Sequence, residues 1–325
     1  MLLNIGLIVL GFLFLIKGGD FLVDGATAIA RKAKVSEMVI GLTIVGFGTS
    51  APELLVSLQA ALEGSSGLAI GNVVGSNIAN IALILGMSAM IVPCPTDKKT
   101  IRIDAPFMVF SVVAFSFVAM TGTISRIAGI IGFLLLVIYV VWQVSDSRNQ
   151  EKMMADSETK EEELQTQKQI SLTKSLILII VGGVLLVVGA DLLIENASNI
   201  ARQIGEYFGT PAEEIERIIG LTIVAVGTSL PELFASIMAA IKGKTDMAIG
   251  NIIGSVTFNI LSVIGLSSAI CPILNSDVGF LTDYIVMCTL SVVLWIFLKT
   301  NHLLERWEGA VLFVTYICYI AWTLL

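Results

Sequence analysis

Residues 41–53 read GLTIVGFGTSAPE and residues 220–232 read GLTIVAVGTSLPE; ten of the thirteen positions agree, at an offset of 179. At the same offset, AIGNVVGSNIAN (69–80) matches AIGNIIGSVTFN (248–259) at seven of twelve positions. Upstream, GGDFLVDGATAIAR (18–31) resembles GADLLIENASNIAR (189–202) at an offset of 171. Three matches in the same order mark an internal duplication, and a duplication constrains architecture before any local propensity does.

The duplicated unit is made of membrane spans. Hydrophobic residues form 56% of the chain and charged residues 14%, where a soluble domain is about a quarter charged. Apolar blocks long enough to cross a bilayer, roughly 20 residues of helix, fall at about 2–30, 37–62, 68–92, 105–122, 127–144, 173–201, 212–241, 247–271, 279–298 and 306–324. The predicted fold is therefore an all-α integral membrane protein of ten transmembrane helices in two five-helix repeats, 1–144 and 173–325, joined by an acidic linker, 145–172. Residues 145–169 hold seven acids and four bases with few large apolar side chains, the composition of a solvated connector. The first apolar run is followed by Lys17, Asp20 and Asp24 and lacks a basic leader, which reads as a first span rather than a signal peptide.

Orientation follows from Lys and Arg, which accumulate on the cytoplasmic side. With the N-terminus outside, fifteen basic residues fall inside and only Arg126, Arg202 and Arg217 outside, while Lys17 lies within a span. Both termini are then outside and the linker is cytoplasmic, in a plasma (cytoplasmic or inner) membrane. Because five is odd, the second repeat enters from the opposite side and the repeats are inverted. Inverted repeats recur in secondary transporters that hold substrate near the midplane between interrupted helices.

The repeated motifs carry polar groups where lipid-facing helices have none. Pro52 lacks an N–H, so a carbonyl one turn earlier loses its helical partner; Gly46 and Gly48 loosen the same turn. Pro231, Ala225 and Gly227 repeat the break. Beside the breaks stand Thr49, Ser50 and Glu53, then Thr228, Ser229 and Glu232. A mid-membrane acid costs about 2.5–3.5 kcal/mol on insertion scales and marks a functional site by default, so Glu53 and Glu232 are the decisive pair. In the second motif Asn72, Ser76 and Asn80 share a helix face, as do Asn251, Ser255 and Asn259. Ser76, Asn80, Ser255 and Asn259 read as ion contacts. For Asn72 and Asn251, helix-to-helix bonding and ion contact stay equally open. Gly71, Gly75, Gly250 and Gly254 permit close helix approach.

Every ligand on offer is oxygen. The one histidine, His302, lies in a predicted loop, and Cys94, Cys271, Cys288 and Cys318 are scattered apolar fillers. This set favours hard cations over Zn2+ or Cu+. A net charge of −7 argues against nucleic acid as partner, and the absence of HExxH or a buried histidine argues against a hydrolase. No cofactor is expected. Spacing alone gives a hard-cation carrier without naming its ions; exchange of Ca2+ for H+ and a cation channel stay open beside Na+-coupled exchange.

A GTSxPE in each half, each followed by GNxxGS, resembles the cation/calcium exchanger superfamily, in its prokaryotic sodium/calcium antiporter branch, over essentially the whole chain. The resemblance implies Na+/Ca2+ antiport, with spans 1 and 6 sliding across a central site to alternate access; a complete site within one chain points to a functional monomer. It implies that Glu53 and Glu232 bridge Ca2+ or the Na+ replacing it, with the carbonyls of Thr49 and Thr228 in the Ca2+ shell. Ser50, Ser76, Ser229 and Ser255, with the carbonyls of Gly46 and Ala225, would complete the Na+ positions, and Asn80 and Asn259 would close the middle. Some relatives, including the potassium-dependent branch, carry Asp where this chain has Asn259, which implies no K+ co-transport and two site carboxylates rather than three. Gly46 stands where alanine is common, which should be harmless if only its carbonyl is used. Asp20, Asp24, Asp191 and Glu195 are paired by the repeat, either to guide ions at the two openings or to hold helix ends.

Overall fold

The computed structural model describes residues 2–157, 171–209, 225–274 and 280–324, with Pro211, Ile215, Ile219 and Ile223. Residues 158–170 of the expected central linker, most of the start of the seventh span and of its GLTIV stretch, Arg217 and the loop 275–279 lie outside the described residues, while residues 145–157 of that linker continue the helix before it. Among the described residues seven helices are long and apolar enough to cross a membrane, and a bent pair adds an eighth. Large apolar side chains such as Phe110, Phe117, Ile127, Ile138 and Ile180 are more than half exposed, as expected where lipid is the solvent.

In chain order, α1 (Leu2–Ala33) is followed by α2 (Glu37–Ile40), a π-helical stretch (Gly41–Val45) and α3 (Gly46–Thr49), then α4 (Ala51–Leu62). Next come α5 (Ser66–Ile78), a π-helical stretch (Ala79–Leu85) and α6 (Gly86–Ile91). A π-helical stretch (Thr100–Asp104) opens α7 (Ala105–Met120), and α8 (Arg126–Ser157) completes the first repeat. The second repeat runs through α9 (Leu172–Tyr207), the single turn α10 (Ala225–Gly227), α11 (Leu230–Ile241) and α12 (Thr245–Phe258). A π-helical stretch (Asn259–Ile264), α13 (Gly265–Ile270), α14 (Leu281–Lys299) and α15 (Arg306–Leu324) follow. The π stretches opening near Asn80 and at Asn259 occupy matching places in the two repeats. The span ending at Met120 starts at Thr100, five residues before its apolar block, and so takes Arg102 and Asp104 into the helix.

Four two-residue strands show the inversion directly. Strand β1 (Cys94–Pro95) pairs antiparallel with β4 (Leu303–Leu304), and β2 (Thr123–Ile124) with β3 (Ile273–Leu274). At the 179-residue offset Cys94 is the counterpart of Ile273, and Ile124 of Leu303. One transmembrane helix, α7, separates β1 from β2, so the two pairings lie at opposite ends of the molecule, and the same loop of the two repeats sits at opposite ends. The end bearing β1 and β4 also gathers Lys99 with Asp146 (2.8 Å) and Lys244 with Glu37 (2.5 Å). There the Ser36 N–H donates to Ser147 Oγ (2.8 Å). At the other end the Leu274 N–H donates to Ser66 Oγ (3.2 Å).

The longest helices, α1 and α9, run antiparallel and zip together on small residues seven apart. A Cβ on Gly11 would lie 2.8 Å from the Gly189 carbonyl oxygen, one on Gly18 2.8 Å from that of Gly182, and one on Gly25 2.7 Å from that of Ser175. Backbones this close gain dispersion contacts that lipid cannot supply. At 32 and 36 residues, about 48 and 54 Å of helix, both exceed the roughly 30 Å hydrocarbon thickness and must tilt or protrude. At the centre, every side chain of Met247–Phe258 is buried. Gly250 and Gly41 bring α12 against the α2 segment: a Cβ on Gly250 would lie 2.5 Å from the Met38 carbonyl oxygen, and one on Gly41 2.5 Å from that of Met247.

A repeated acid–phenol pair joins the peripheral helices. The Tyr139 hydroxyl donates to Asp104 Oδ1 at 2.8 Å, and the Tyr319 hydroxyl to Asp283 Oδ1 at 2.9 Å. Gln143 Nε2 also donates to Asp104 and, at 2.8 Å, to Tyr139. Asp104 is buried and satisfied by these donors, which removes most of the penalty of an acid in this place.

Gly182→Val is expected to push α1 from α9 and destabilise the protein by about 1–3 kcal/mol, read as a lower melting temperature in detergent. Gly183→Val, where a Cβ meets nothing within 4 Å, is expected to leave it unchanged.

Candidate functional site

Both GTSxPE motifs break their helices in the same way. The bent pair Glu37–Thr49 and Ala51–Leu62 turns by 46°, with Ser50 at φ −85°, ψ 5°. Ser229 has φ −92°, ψ 5° at the corresponding break. Each proline then falls in the first turn of the following helix, where its missing N–H removes nothing the helix needs. Glu53 and Glu232 follow in that first turn, the end at which the helix macrodipole favours negative charge. The prolines thus seat a carboxylate at a helix N-terminus inside the membrane, twice.

The two motifs meet across the inverted halves. Glu53 is 1% exposed and Glu232 0%. The Ser50 hydroxyl, from the first repeat, donates to Glu232 Oε1 of the second at 3.4 Å. Thr49 Oγ1 lies 3.3 Å from Asn251 Oδ1 and 3.4 Å from Ser255 Oγ, both on α12; it is also 3.1 Å from the Val45 carbonyl oxygen. Both Glu53 oxygens, Glu232 Oε2, Ser229 Oγ, Asn259 Oδ1 and both polar atoms of Asn80 are buried without a hydrogen-bond partner. A buried polar atom left unpaired costs about 1–3 kcal/mol, and a charged one more. Several together, at the meeting point of two repeated motifs, form a cage whose oxygens fit a hard cation. Among the described residues no group of three or more His, Cys, Asp and Glu is placed to hold a metal ion.

Of the expected ligands, Thr49 meets Ser255, Ser50 meets Glu232 and Asn259 meets Ser76. Thr49, Ser50, Ser76, Asn80, Ser229, Ser255 and Asn259 are all buried. Thr228 is half-buried in the turn between α10 and α11, and Ala225 opens α10. The Gly46 carbonyl accepts the Ser50 N–H at 3.1 Å. Gly46 itself does more than expose a carbonyl: a Cβ there would lie 3.1 Å from Ser255 N and 3.4 Å from the Asn251 carbonyl oxygen, so glycine sets how closely α3 approaches α12.

For Asn72 and Asn251 the geometry decides between the two open roles. Asn72 Nδ2 donates to the Glu53 carbonyl (3.3 Å) and to Ser57 Oγ (2.9 Å). Asn251 Nδ2 donates to the Glu232 carbonyl (3.3 Å) and to Ser236 Oγ (2.8 Å). Each asparagine pins the backbone of the glutamate of its own repeat from the neighbouring helix. Ser57 and Ser236, four residues after each glutamate, were legible only as part of this bond; their signal is recurrence at the 179-residue offset.

Comparison with known proteins agrees with this arrangement. The profile described as sodium/calcium exchanger protein matches residues 3–145 and 174–325. The sodium/calcium exchanger MaX1 of Methanosarcina acetivorans is 33% identical over 98% of this chain and 97% of its own length. The inner membrane protein YrbG of Escherichia coli is 34% identical over 90% of this chain and 88% of its own. Among solved structures, the sodium-calcium exchanger NCX_Mj soaked with 2.5 mM Na+ and 0.1 mM Ca2+ superposes with a TM-score of 0.81 at 32% identity, covering 99% of this chain and 98% of that one.

Asn251→Ala is expected to free the Glu232 backbone and leave Ser236 without its donor. The rise in melting temperature that a binding cation confers should fall to less than half of the wild-type value when Ca2+ is added to the purified variant.

Proposed function

The chain belongs to the sodium/calcium exchanger protein family, and from that membership and the geometry of its carboxylate pair we propose that it is a Na+/Ca2+ antiporter working by alternating access. The observation that carries this reading is the Ser50–Glu232 contact beside a fully buried Glu53 whose two oxygens lack partners. It makes one site from two inverted halves.

Two ionised carboxylates bring two negative charges, which one Ca2+ neutralises and several Na+ can share. Without cations, the pair would place two like charges in a low-dielectric interior, a state far costlier than the loaded one. The empty carrier is therefore held back, and one ion leaves as another arrives: that is the physical basis of exchange rather than leak. In this reading Glu53 and Glu232 bridge the ion, and the Thr49 and Thr228 carbonyls join the Ca2+ shell. Ser50, Ser76, Ser229 and Ser255, with the Gly46 and Ala225 carbonyls, serve Na+, and Asn80 and Asn259 line the middle. Neutral hydroxyl, amide and carbonyl oxygens are ligands for Na+ and have no part in carrying a proton, which favours Na+ over H+ as the coupling ion.

The chain is organised as 1–144 and 173–325 around a cytoplasmic linker, 145–172, whose first part continues α8 as far as Ser157, in the plasma membrane with both termini outside, and it works as a monomer because one chain holds the whole site. The ion pairs that gather Glu37, Lys99, Asp146 and Lys244 at one end support this sidedness, since these are the segments that Lys and Arg content assigns to the cytoplasm.

Access is one-sided. Gly19 of α1 packs on α11, where a Cβ would lie 2.8 Å from the Phe234 carbonyl oxygen, and Phe12 meets Phe234 at 6.3 Å. Lys242, just past α11, reaches Asp20 Oδ1 at 2.5 Å, Asp24 Oδ1 at 2.6 Å and the Asp20 carbonyl at 3.0 Å. The position matching Lys242 in the first repeat is Glu63, which accepts from Gln59 at 2.9 Å, and Asp191 and Glu195 are exposed. The α1–α9 pair is thus latched at the proposed cytoplasmic end. Lys242 and Asp20 are half-buried, and ion pairs open to solvent on one side contribute on the order of 1 kcal/mol each, weak enough to release in every cycle.

The direct test is 45Ca2+ uptake into proteoliposomes loaded with Na+ and diluted into buffer free of Na+ and K+, with a pH-clamped control. Uptake that requires internal Na+ and falls at least 100-fold in Glu53→Gln or Glu232→Gln, on the order of 3 kcal/mol, is expected. Uptake that follows a pH gradient and ignores Na+ would make H+ the coupling ion, and normal exchange by either variant would contradict the site. A second measurement addresses the latch. In a chain with its four cysteines replaced, Lys242→Ala should increase the labelling of Met238→Cys by an impermeant thiol reagent from the cytoplasmic side. Unchanged labelling contradicts the latch.

A further inference from the structure

The two central asparagines, Asn80 and Asn259, are matched by the repeat but are not held alike. Asn259 Nδ2 donates twice, to Ser76 Oγ and to Asn77 Oδ1, each at 3.1 Å. Ser76 spends its own hydrogen on the Val73 carbonyl at 3.2 Å, so it meets Asn259 as an acceptor. Asn77 is fixed from behind: its Nδ2 donates to Met287 Sδ at 3.7 Å. A thioether sulfur only accepts, so Asn77 must turn its NH2 toward Met287 and its oxygen toward Asn259. Both N–H bonds of Asn259 are then used, and Oδ1 is turned the other way, buried and without a partner. Asn259 opens the π-helical stretch that packs against α4, the helix carrying Glu53.

In the other repeat this chain of bonds cannot form. The counterpart of Asn77 is Val256, which has nothing to offer an amide, and both polar atoms of Asn80 lack partners. The site is therefore two-fold in its carboxylates and one-sided in its amides.

We propose that Asn77, backed by Met287, is a positioning residue that sets the Asn259 amide with its oxygen toward the cation. An amide free to turn would present its N–H2 half the time, and an N–H2 repels the ion that the oxygen attracts. The inference rests on the cation-site reading above, but not on which ion drives exchange. It predicts which side chain makes an Asn at 259 serviceable where a carboxylate would need no orienting, because Asp shows an oxygen either way round.

The test is equilibrium binding of 45Ca2+ to purified protein, a readout independent of the coupling ion. Asn77→Val, which copies the residue of the other repeat, is expected to weaken Ca2+ binding about tenfold, the scale of one lost ligand. Met287→Leu conserves volume, removes the acceptor behind Asn77 and should weaken binding about threefold, one unconstrained flip rather than a lost group. In an Asn259→Asp background, neither change should alter the affinity by more than about twofold, because a carboxylate has no wrong face. Unchanged affinity in Asn77→Val, or an equal loss in both backgrounds, overturns the proposal, the second outcome assigning Asn77 to packing alone. If wild type binds Ca2+ but shows no Na+-driven uptake, the antiport reading fails while this test still decides the role of Asn77. If wild type binds no Ca2+, both fall.

Discussion

Two glutamates enclosed by protein at the middle of a membrane are the constraint from which the rest follows. Among the described residues neither Glu53 nor Glu232 has a basic partner, and Ser50 reaches Glu232 from the other repeat. A charge so placed needs a compensating charge, and none is supplied by the described residues around it. The broken helices, the prolines that start the next helix, and the asparagines that pin each glutamate backbone all hold these carboxylates still. In the proposed function the compensating charge is the cargo. A carrier built this way exchanges because its site is costly to leave empty.

The inversion is what lets one site serve two sides. Each repeat supplies the same parts from opposite directions, and the strand pairs show it plainly: Cys94 and its counterpart Ile273 sit at opposite ends, each paired to a loop of the other repeat. The α1–α9 zipper is symmetric at two of its three contacts, Gly11 with Gly189 and Gly18 with Gly182, which the 171-residue offset exchanges. Where the halves differ, the differences have a use. Lys242 stands where the first repeat has Glu63, so among the described residues its ion pairs with Asp20 and Asp24 have no counterpart in the other repeat. Ile194 lies against Gly227, beside Thr228, whereas a Cβ on the matching Gly48 meets no described atom within 4 Å. In the proposed cycle near-symmetry gives two similar endpoints of access, and the departures make them unequal.

Much of this was legible in the sequence because repetition amplifies weak signals. A single GTSAPE could be an ordinary helix break; the pair at a constant offset is an architecture, and the odd number of spans makes it inverted. The polar faces of Ser76, Asn80, Ser255 and Asn259 followed from helical spacing. What the sequence hid was relational. Asp104 looks like a loop residue because it is charged, and only the Tyr139 and Gln143 donors explain how it lies inside a span; recurrence of the pair as Asp283 and Tyr319 was its one available signal. The small residues of α1 and α9 stand seven apart, but which glycine meets which depends on the antiparallel register. Asn77 belongs to no repeated position at all, since its counterpart is Val256, so a search for matched residues passes over it. The same search read Asn72 and Asn251 as equally fit for ion contact or helix bonding, because spacing places a side chain on a face without naming what it meets there.

The central claim is that Ca2+ and Na+ share one pair of carboxylates. Equilibrium 45Ca2+ binding to the purified protein across a range of Na+ concentrations tests it most directly. The account predicts one Ca2+ per chain at saturation, displaced completely by Na+ with a steepness that shows more than one Na+ replacing it. Ca2+ that stays bound at saturating Na+ would contradict the account, because it would place the two ions at separate sites.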